Sequence, residues 1–323
     1  MSNRPKIVVL ERNSVGTDVS VSCLEELGEV TVYRNTVAEN TAERVKDADI
    51  VVANKAPMNE ATLKDAPNVK LICEFATGYD NADLAYCKSR GIKVANVVDY
   101  STDAVAQHTF ALTFYLLEKL HHYDHYVKSG EYGAQDRFSN FDLPYTELAG
   151  KTWGIVGMGH IGKKVAQIAT AFGCRVIFYS ASGNSTCTDY ERVDLETLCK
   201  ESDFLSLHCP LTDRTRYLMH EKMLRLMKPS AYLINVARGA VVNNRDLYQA
   251  LTEGWIAGAG LDVLEQEPIA ADNPLGLIQD STRLIITPHM AWASIEARTR
   301  VVSETYLNIQ AFLNGQDRNV VNP

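Results

Sequence analysis

Short apolar runs rich in valine and isoleucine alternate with polar or amphipathic stretches along almost the whole chain. The first series is KIVVL (6–10), VTVY (30–33), IVVA (50–53), LICEF (71–75) and KVANV (93–97). The segments between them carry spaced apolar residues, as in DNADLAYCKSRG, where Gly91 reads as a helix stop. Near-continuous apolar runs bounded by such segments predict strands of a parallel sheet covered on both faces, because a strand buried on both faces loses the usual in–out alternation. The stretch 102–128 predicts one long helix, with Asp99, Ser101 or Thr102 as its cap. After a less regular passage a second series begins: WGIVG (153–157), RVIFY (175–179), FLSLH (204–208), AYLINV (231–236), IAGAGLDV (256–263) and LIIT (284–287). The tail, 293–313, reads as helix again. Two α/β units of similar grammar are therefore predicted.

Composition narrows the setting. A chain of 323 residues has room for two domains with substantial cores. Its 32 basic and 40 acidic residues leave a net charge of −8, which argues against a nucleic-acid or anionic-membrane partner. The N-terminal MSNRPKIVVLERNS holds an apolar run too short for a signal peptide, and no segment approaches the ~18–20 apolar residues needed to span a bilayer. Seven cysteines, odd in number and never spaced as CxxC, suit free thiols in a reducing compartment rather than a zinc site or disulfides. A cytoplasmic protein is expected. His121 and His125 stand one helical turn apart, but no glutamate follows as in HExxH, so this face is read as solvated or interfacial and no metal site is expected.

The sharpest motif lies between the run at 153–157 and the amphipathic stretch that follows. In Gly157-x-Gly159-x-x-Gly162 the first glycine permits a tight strand-to-helix turn. The second lets a pyrophosphate approach the backbone, and the third lets helix and sheet pack closely. Such a motif between a convincing strand and a convincing helix predicts dinucleotide binding, with the phosphates at the helix start. A carboxylate is expected at the end of the next strand to hold the adenine ribose, yet Ser180 stands there. The missing charge leaves NADP open, but no basic residue follows until Arg192, so the reading leans to NAD. Hydroxyls of Ser180 and Ser182, with Asn184, would serve either cofactor modestly.

Downstream, NVARGAVVN (235–243), GLDVLEQEP (260–268) and TPHMAW (287–292) resemble, in order and spacing, the signatures of the D-isomer-specific 2-hydroxyacid dehydrogenases. ELAGKTWGIVGMGHIG and HCPLTDRTRYL resemble the same family's cofactor-domain segments. NKAPM (54–58), CEFATGYDNAD (73–83) and YSTDAVAQHTFAL (100–112) look most like its glycerate dehydrogenase (hydroxypyruvate reductase) branch. The resemblance implies two doubly wound α/β domains with parallel sheets. Residues 1–100 and 294–323 would form a flavodoxin-like substrate domain, and residues 101–293 a Rossmann domain that binds NAD(P), with the active site in the cleft between. It extends the cofactor contacts from Gly157, Gly159, Gly162 and Ser180 to His160, Ile161, His208, Pro210, Thr215, Val236, Ala237, Asp262 and Ala291. It also implies a homodimer joined through the long helix of the cofactor domain.

Reduction of a 2-oxo acid needs a hydride, a proton for the forming alkoxide and a cation for the carboxylate. His289 is the candidate acid, since an imidazolium is available near neutral pH. Glu267 would hydrogen-bond the other ring nitrogen, fixing the tautomer and raising the histidine pKa by its charge. Arg238 offers a fork of donors to the substrate carboxylate and carbonyl. A lone histidine ahead of an apolar stretch is ordinarily structural, and a loop arginine ordinarily a surface charge. Three such residues at the family's positions behind a dinucleotide motif turn the reading to catalysis. Asp262 would orient the nicotinamide amide or tune the histidine, or else hold structure through hydrogen bonds. By the same resemblance Ala76, Thr77 and Gly78 would bind the substrate carboxylate through backbone N–H groups, and Asn54 and Lys55 would favour a small polar tail such as that of hydroxypyruvate. The expected activity is thus NAD(P)H-dependent reduction of hydroxypyruvate or glyoxylate to D-glycerate or glycolate. The alternatives are a dehydrogenase of another 2-hydroxy acid, or a dinucleotide-sensing binding protein on the same fold. A formate dehydrogenase is disfavoured because that group has glutamine where Glu267 stands. A 3-phosphoglycerate dehydrogenase would want further cations, and many carry a regulatory domain beyond the point where this chain ends.

Overall fold

The computed structural model describes residues 4–323, which divide into two compact units: 4–101 with Ala293–Pro323, and Thr102–Trp292. In the first unit five strands, β1 (Lys6–Val9), β2 (Glu29–Val32), β3 (Ile50–Ala53), β4 (Leu71–Glu74) and β5 (Lys93–Ala95), pair in parallel in the order β2-β1-β3-β4-β5. That is the flavodoxin-like order. β3 is buried at every position, as its unbroken apolar run predicts, and so is β4, although it ends on Glu74. β2 departs from the expectation: it is the edge strand, and Val32 is 44% exposed. Leu10, Met58, Leu63, Ile72 and Ile92 fill one side of the sheet. The C-terminal helix Ile295–Leu313 packs against β4, a return that the βα rhythm alone does not reveal. Asn308 Nδ2 donates to the Asn96 carbonyl (2.9 Å), Arg300 Nε to that of Tyr100 (2.8 Å), and Val320 bridges Ala95.

The second unit holds seven parallel strands, β6 (Thr152–Val156), β7 (Arg175–Tyr179), β8 (Glu191–Arg192), β9 (Phe204–Leu207), β10 (Tyr232–Asn235), β11 (Gly258–Leu261) and β12 (Leu284–Ile286). Their order, β12-β11-β10-β9-β6-β7-β8, is the Rossmann arrangement with one strand added. The chain reverses its direction of growth between β6 and β9, so the loops leaving these two strands part company and open a crevice. One core face is aromatic: Trp153 lies 4.7 Å from Phe110 and 5.4 Å from Phe204, centroid to centroid, and its Nε1 donates to Ser206 Oγ (2.9 Å). β8 has only two residues, both charged, and lacks the apolar run by which strands are recognised.

The long helix expected over 102–128 is two helices, Thr102–Leu117 and Leu120–Lys128. Lys119 between them adopts a left-handed conformation (φ 56°). Its ammonium donates to the Thr282 carbonyl (2.9 Å) and the Tyr232 hydroxyl (3.2 Å), an anchorage a continuous helix need not give. The first helix buries half its residues and the second none. No helix among the described residues is long and apolar enough to cross a membrane.

Candidate active site

At the switch point of the seven-stranded sheet lies a cavity of about 750 Å³. Gly157 leaves β6 at φ +95°, and a Cβ there would come within 2.8 Å of the His208 carbonyl that follows β9. A Cβ on Gly162 would lie 2.1 Å from the Gly157 carbonyl, so only glycine lets the helix His160–Ala171 start this close to the strand. A Cβ on Gly159 would meet nothing within 4 Å, because that position opens on the cavity. No side chain caps the helix, which leaves its first N–H groups and dipole to an anion. His208 is half-buried, its Nε2 shares a hydrogen with Ser206 Oγ (2.9 Å), and its Nδ1 is inaccessible and has no partner. Burial pushes this imidazole down to about 3, so it is neutral, and the orphaned nitrogen is of the kind a bound ligand satisfies.

Of the expected cofactor contacts, Gly157, Gly159, Ser180, His208, Pro210 and Thr215 line this cavity. Thr215 closes the loop after β9, its hydroxyl donating to the Pro210 carbonyl (2.7 Å) and accepting from Thr212 N (2.7 Å). His160, Ile161 and Gly162 form the helix start behind the glycines without lining it. Val236, Ala237, Asp262 and Ala291 lie elsewhere, at or just beyond the ends of β10, β11 and β12. The cavity also takes in Lys163 and Arg214, which the sequence reading passed over. Position was the available signal for Lys163, which directly follows the third glycine.

Arg238, Glu267 and His289 are carried by loops that leave β10, β11 and β12, neighbours in the sheet. Asn235 shapes the first loop: its Oδ1 accepts from Ala237 N and its Nδ2 donates to the Arg238 carbonyl, both at 3.1 Å. Arg238 Nη1 donates to the Ala237 carbonyl (2.8 Å). Gly239 lets the first two loops touch, since a Cβ there would lie 1.9 Å from the Leu264 carbonyl. Glu267 uses both oxygens: Oε1 accepts from Leu264 N (3.0 Å), and Oε2 lies 2.6 Å from His289 Nδ1. That contact fixes the imidazole with Nε2 as its remaining nitrogen. His289 itself sits at φ +52°, a conformation costly for a residue with a side chain, and it is held there from both sides. Its N–H donates to the Asp262 carbonyl (2.8 Å), while the Asp262 carboxylate accepts from the Thr287 hydroxyl (2.6 Å), Met290 N (2.8 Å) and Ala291 N (2.8 Å). His108 Nε2 adds a contact to Thr287 Oγ1 (3.0 Å). Asp262 therefore braces the loop that presents His289, and no local sequence signal points to His108 or Asn235.

The expected substrate residues of the first unit lie beyond β3 and β4, adjacent strands of its sheet. The N–H groups of Asn54, Lys55 and Ala56 all donate to Glu11 Oε2, at 2.7, 2.8 and 3.0 Å. A carboxylate of the protein thus already fills this nest. Thr77 is anchored by its hydroxyl to the Val97 carbonyl (2.8 Å) and by its own carbonyl to Asn96 Nδ2 (2.7 Å). The backbone N–H groups of Thr77 and Gly78 have no partner among the described residues.

Residues 110–291 match the family described as D-isomer specific 2-hydroxyacid dehydrogenase, NAD binding domain. The glycerate dehydrogenase of Methylorubrum extorquens is 39% identical over 98% of both chains. The hydroxypyruvate reductase of Blautia hydrogenotrophica is 38% identical over 98% of this chain and 99% of its own. Among solved structures, the NADPH-dependent glyoxylate/hydroxypyruvate reductase of Sinorhizobium meliloti, in complex with NADP and malonate, superposes with a TM-score of 0.84 at 28% identity, covering 99% of this chain and 97% of its own. The chain belongs to the D-isomer-specific 2-hydroxyacid dehydrogenases. The dehydrogenase is an NAD(P)-using oxidoreductase, and the open glycine cradle, the uncapped helix and the unpartnered His208 nitrogen fit a bound dinucleotide.

Proposed function

We propose that this dehydrogenase reduces hydroxypyruvate or glyoxylate to the corresponding 2-hydroxy acid, with Arg238, Glu267 and His289 as its catalytic residues. The observation that carries the proposal is the 2.6 Å contact between His289 Nδ1 and Glu267 Oε2 on a braced loop. Reduced nicotinamide, when bound, supplies the hydride. His289 Nε2 gives its proton to the oxygen that becomes the hydroxyl, and the Glu267 carboxylate stabilises the imidazolium before transfer and holds the ring's orientation. The Arg238 guanidinium pairs with the substrate carboxylate and draws electron density from the 2-oxo carbonyl. In the oxidative direction neutral His289 accepts the hydroxyl proton. The N–H groups of Thr77 and Gly78 serve the substrate carboxylate, with Asn54 and Lys55 beside the 2-oxo acid's tail. On this reading the unit 4–101 with Ala293–Pro323 binds substrate and the unit Thr102–Trp292 binds NAD(P).

Steady-state reduction of hydroxypyruvate and glyoxylate tests the assignment. His289→Asn is expected to lower kcat by about 10²–10⁴-fold while leaving the thermal midpoint near that of wild type. A variant that keeps wild-type kcat removes His289 from the proton path. Turnover of neither acid, with turnover of a larger 2-oxo acid, moves the substrate and leaves the chemistry. The solvent-facing helix Leu120–Lys128 and the passage after it expose Val127, Phe138 (89%), Phe141 (72%) and Tyr145, an apolar face suited to a second copy of the chain. Light scattering should accordingly report twice the 35.9 kDa of one chain, and a single-chain mass would end the homodimer reading. Seven free thiols, five of them buried, suit the cytoplasm.

A further inference from the structure

The sequence leans to NAD because no cation follows Ser180 before Arg192. The fold changes what surrounds that serine. Lys163, at the start of the glycine helix, and Arg214, from the loop after β9, line the same cavity as Ser180, Ser182 and Asn184. Arg192, on the edge strand beside β7, brings a guanidinium nitrogen to 4.0 Å from where a Cβ on Gly183 would stand. None of these three cations has an ion-pair partner among the described residues, whereas Arg175 on β7 is matched by Glu191 (2.7 Å) and Glu201 (2.8 Å).

The hydroxyls of the loop after β7 complete the picture. Ser180 Oγ accepts from Ser185 N (3.3 Å), Ser182 Oγ from Asn184 N (3.2 Å) and Ser185 Oγ from Cys187 N (3.3 Å). A hydroxyl already accepting a backbone hydrogen keeps its own proton to donate. The loop therefore presents donors and cations, which match an acceptor-only dianion. A ribose diol is better served by a carboxylate acceptor. The one carboxylate lining the cavity among the described residues is Asp213, and it opposes the cations.

We propose that this end of the cavity is a 2′-phosphate site and that the dehydrogenase takes NADPH in preference to NADH. Lys163, Arg192 and Arg214 supply the charge, and Ser180 and Ser182 act as neutral donors. The proposal rests on the dinucleotide reading of the site and adds the group that discriminates between the two cofactors.

Calorimetric titration without substrate separates the two claims. NADPH is expected to bind at least about tenfold more tightly than NADH, and 2′,5′-ADP more tightly than 5′-AMP by a similar factor. Lys163→Ala, Arg192→Ala and Arg214→Ala should each weaken NADPH by about tenfold while changing NADH by less than about twofold, the NADH titration also reporting that each variant is folded. Ser180→Asp should reverse the preference, and Asp213→Asn should tighten NADPH alone. NADH binding as tightly as NADPH overturns the proposal. So does an Asp213→Asn variant that loses NADH affinity, because Asp213 would then hold the ribose diol. Binding of neither dinucleotide overturns the underlying cofactor reading, and this proposal with it.

Discussion

Glu74 and Asp262 occupy comparable places in the two units and are treated differently. Glu74 ends β4 and Asp262 follows β11, each at the carboxyl edge of a parallel sheet and each essentially unexposed, at 0% and 1%. Asp262 receives a hydroxyl and two backbone N–H groups from the loop that carries His289, with His108 Nε2 3.6 Å away. Glu74 receives one amide, that of Asn81, 3.1 and 3.2 Å from its two oxygens. Burial pushes the Glu74 carboxyl up to about 8 against the lowering effect of Asn81, and the nearby Glu11 charge pushes the same way as burial. A buried carboxylate well supplied with donors works as a clamp, whereas one left with a single donor retains its proton near neutral pH.

Asparagine at position 262 should break the comparison most severely. Its amide nitrogen must replace one acceptor oxygen, and it would then face N–H groups or the Thr287 hydroxyl in a space closed to water. Asp262→Asn is expected to lose about 3 kcal/mol in urea unfolding. It should also lose about 10²-fold in kcat/KM, because a displaced His289 loop misaligns the proton donor. A fully active Asp262→Asn variant would show that Glu267 alone suffices to hold His289.

Glutamine at position 74 should do the opposite. The folded carboxyl titrates near 8 and the unfolded one near 4.5. Its contribution to stability is therefore fully present below about pH 4.5, declines as pH rises, and is lost once pH passes the folded value. Wild-type stability should fall by about 2 kcal/mol from this source across roughly pH 5 to 7. Glu74→Gln, which keeps a donor and an acceptor without a charge, should remove that component of the slope and become the more stable protein above about pH 8. Parallel curves of thermal midpoint against pH for the two proteins would mean that Glu74 is ionised in the fold.

The contrast also marks what was legible in the chain. Most strand positions were, because the runs from 6–10 to 284–287, the exposed edge strand β2 excepted, meet the same demand for burial in a parallel sheet, whereas the two charged residues of β8 gave no such signal. The glycine turn and the meeting of Glu267 with His289 were legible through ordered local motifs. Contacts between distant positions were not. Nothing local marks His108 as a neighbour of Thr287, nor Arg192 as the side chain beside Gly183, since the packing of the helix Thr102–Leu117 on β11 and β12 creates the first approach and the pairing of β8 with β7 the second. The break at Lys119 was hidden for a similar reason. Helical spacing runs through it, and only the pull of Tyr232 and Thr282 on the lysine accompanies the left-handed turn. Asp262 was visible as a residue, but the three donors that define its surroundings come from Thr287, Met290 and Ala291.

Glu11 offers the mildest and most discriminating change. Its Oε2 gathers the N–H groups of Asn54, Lys55 and Ala56, as Asp262 gathers those of Met290 and Ala291, but at a partly exposed position. A glutamine side chain there would keep one oxygen for that nest and lose only the charge, so Glu11→Gln is expected to cost about 1 kcal/mol. It should also move the Glu74 titration downward, because the Glu11 charge is one of the influences raising it. If the 54–56 loop shapes the substrate pocket, KM for hydroxypyruvate should rise by about threefold with kcat unchanged, the mark of lost uniform binding. A fall in kcat at constant KM would instead assign the loop to the chemical step. Unchanged kinetics with the expected Glu74 shift would leave substrate recognition in this unit to Thr77 and Gly78, whose N–H groups no side chain of the described residues already occupies.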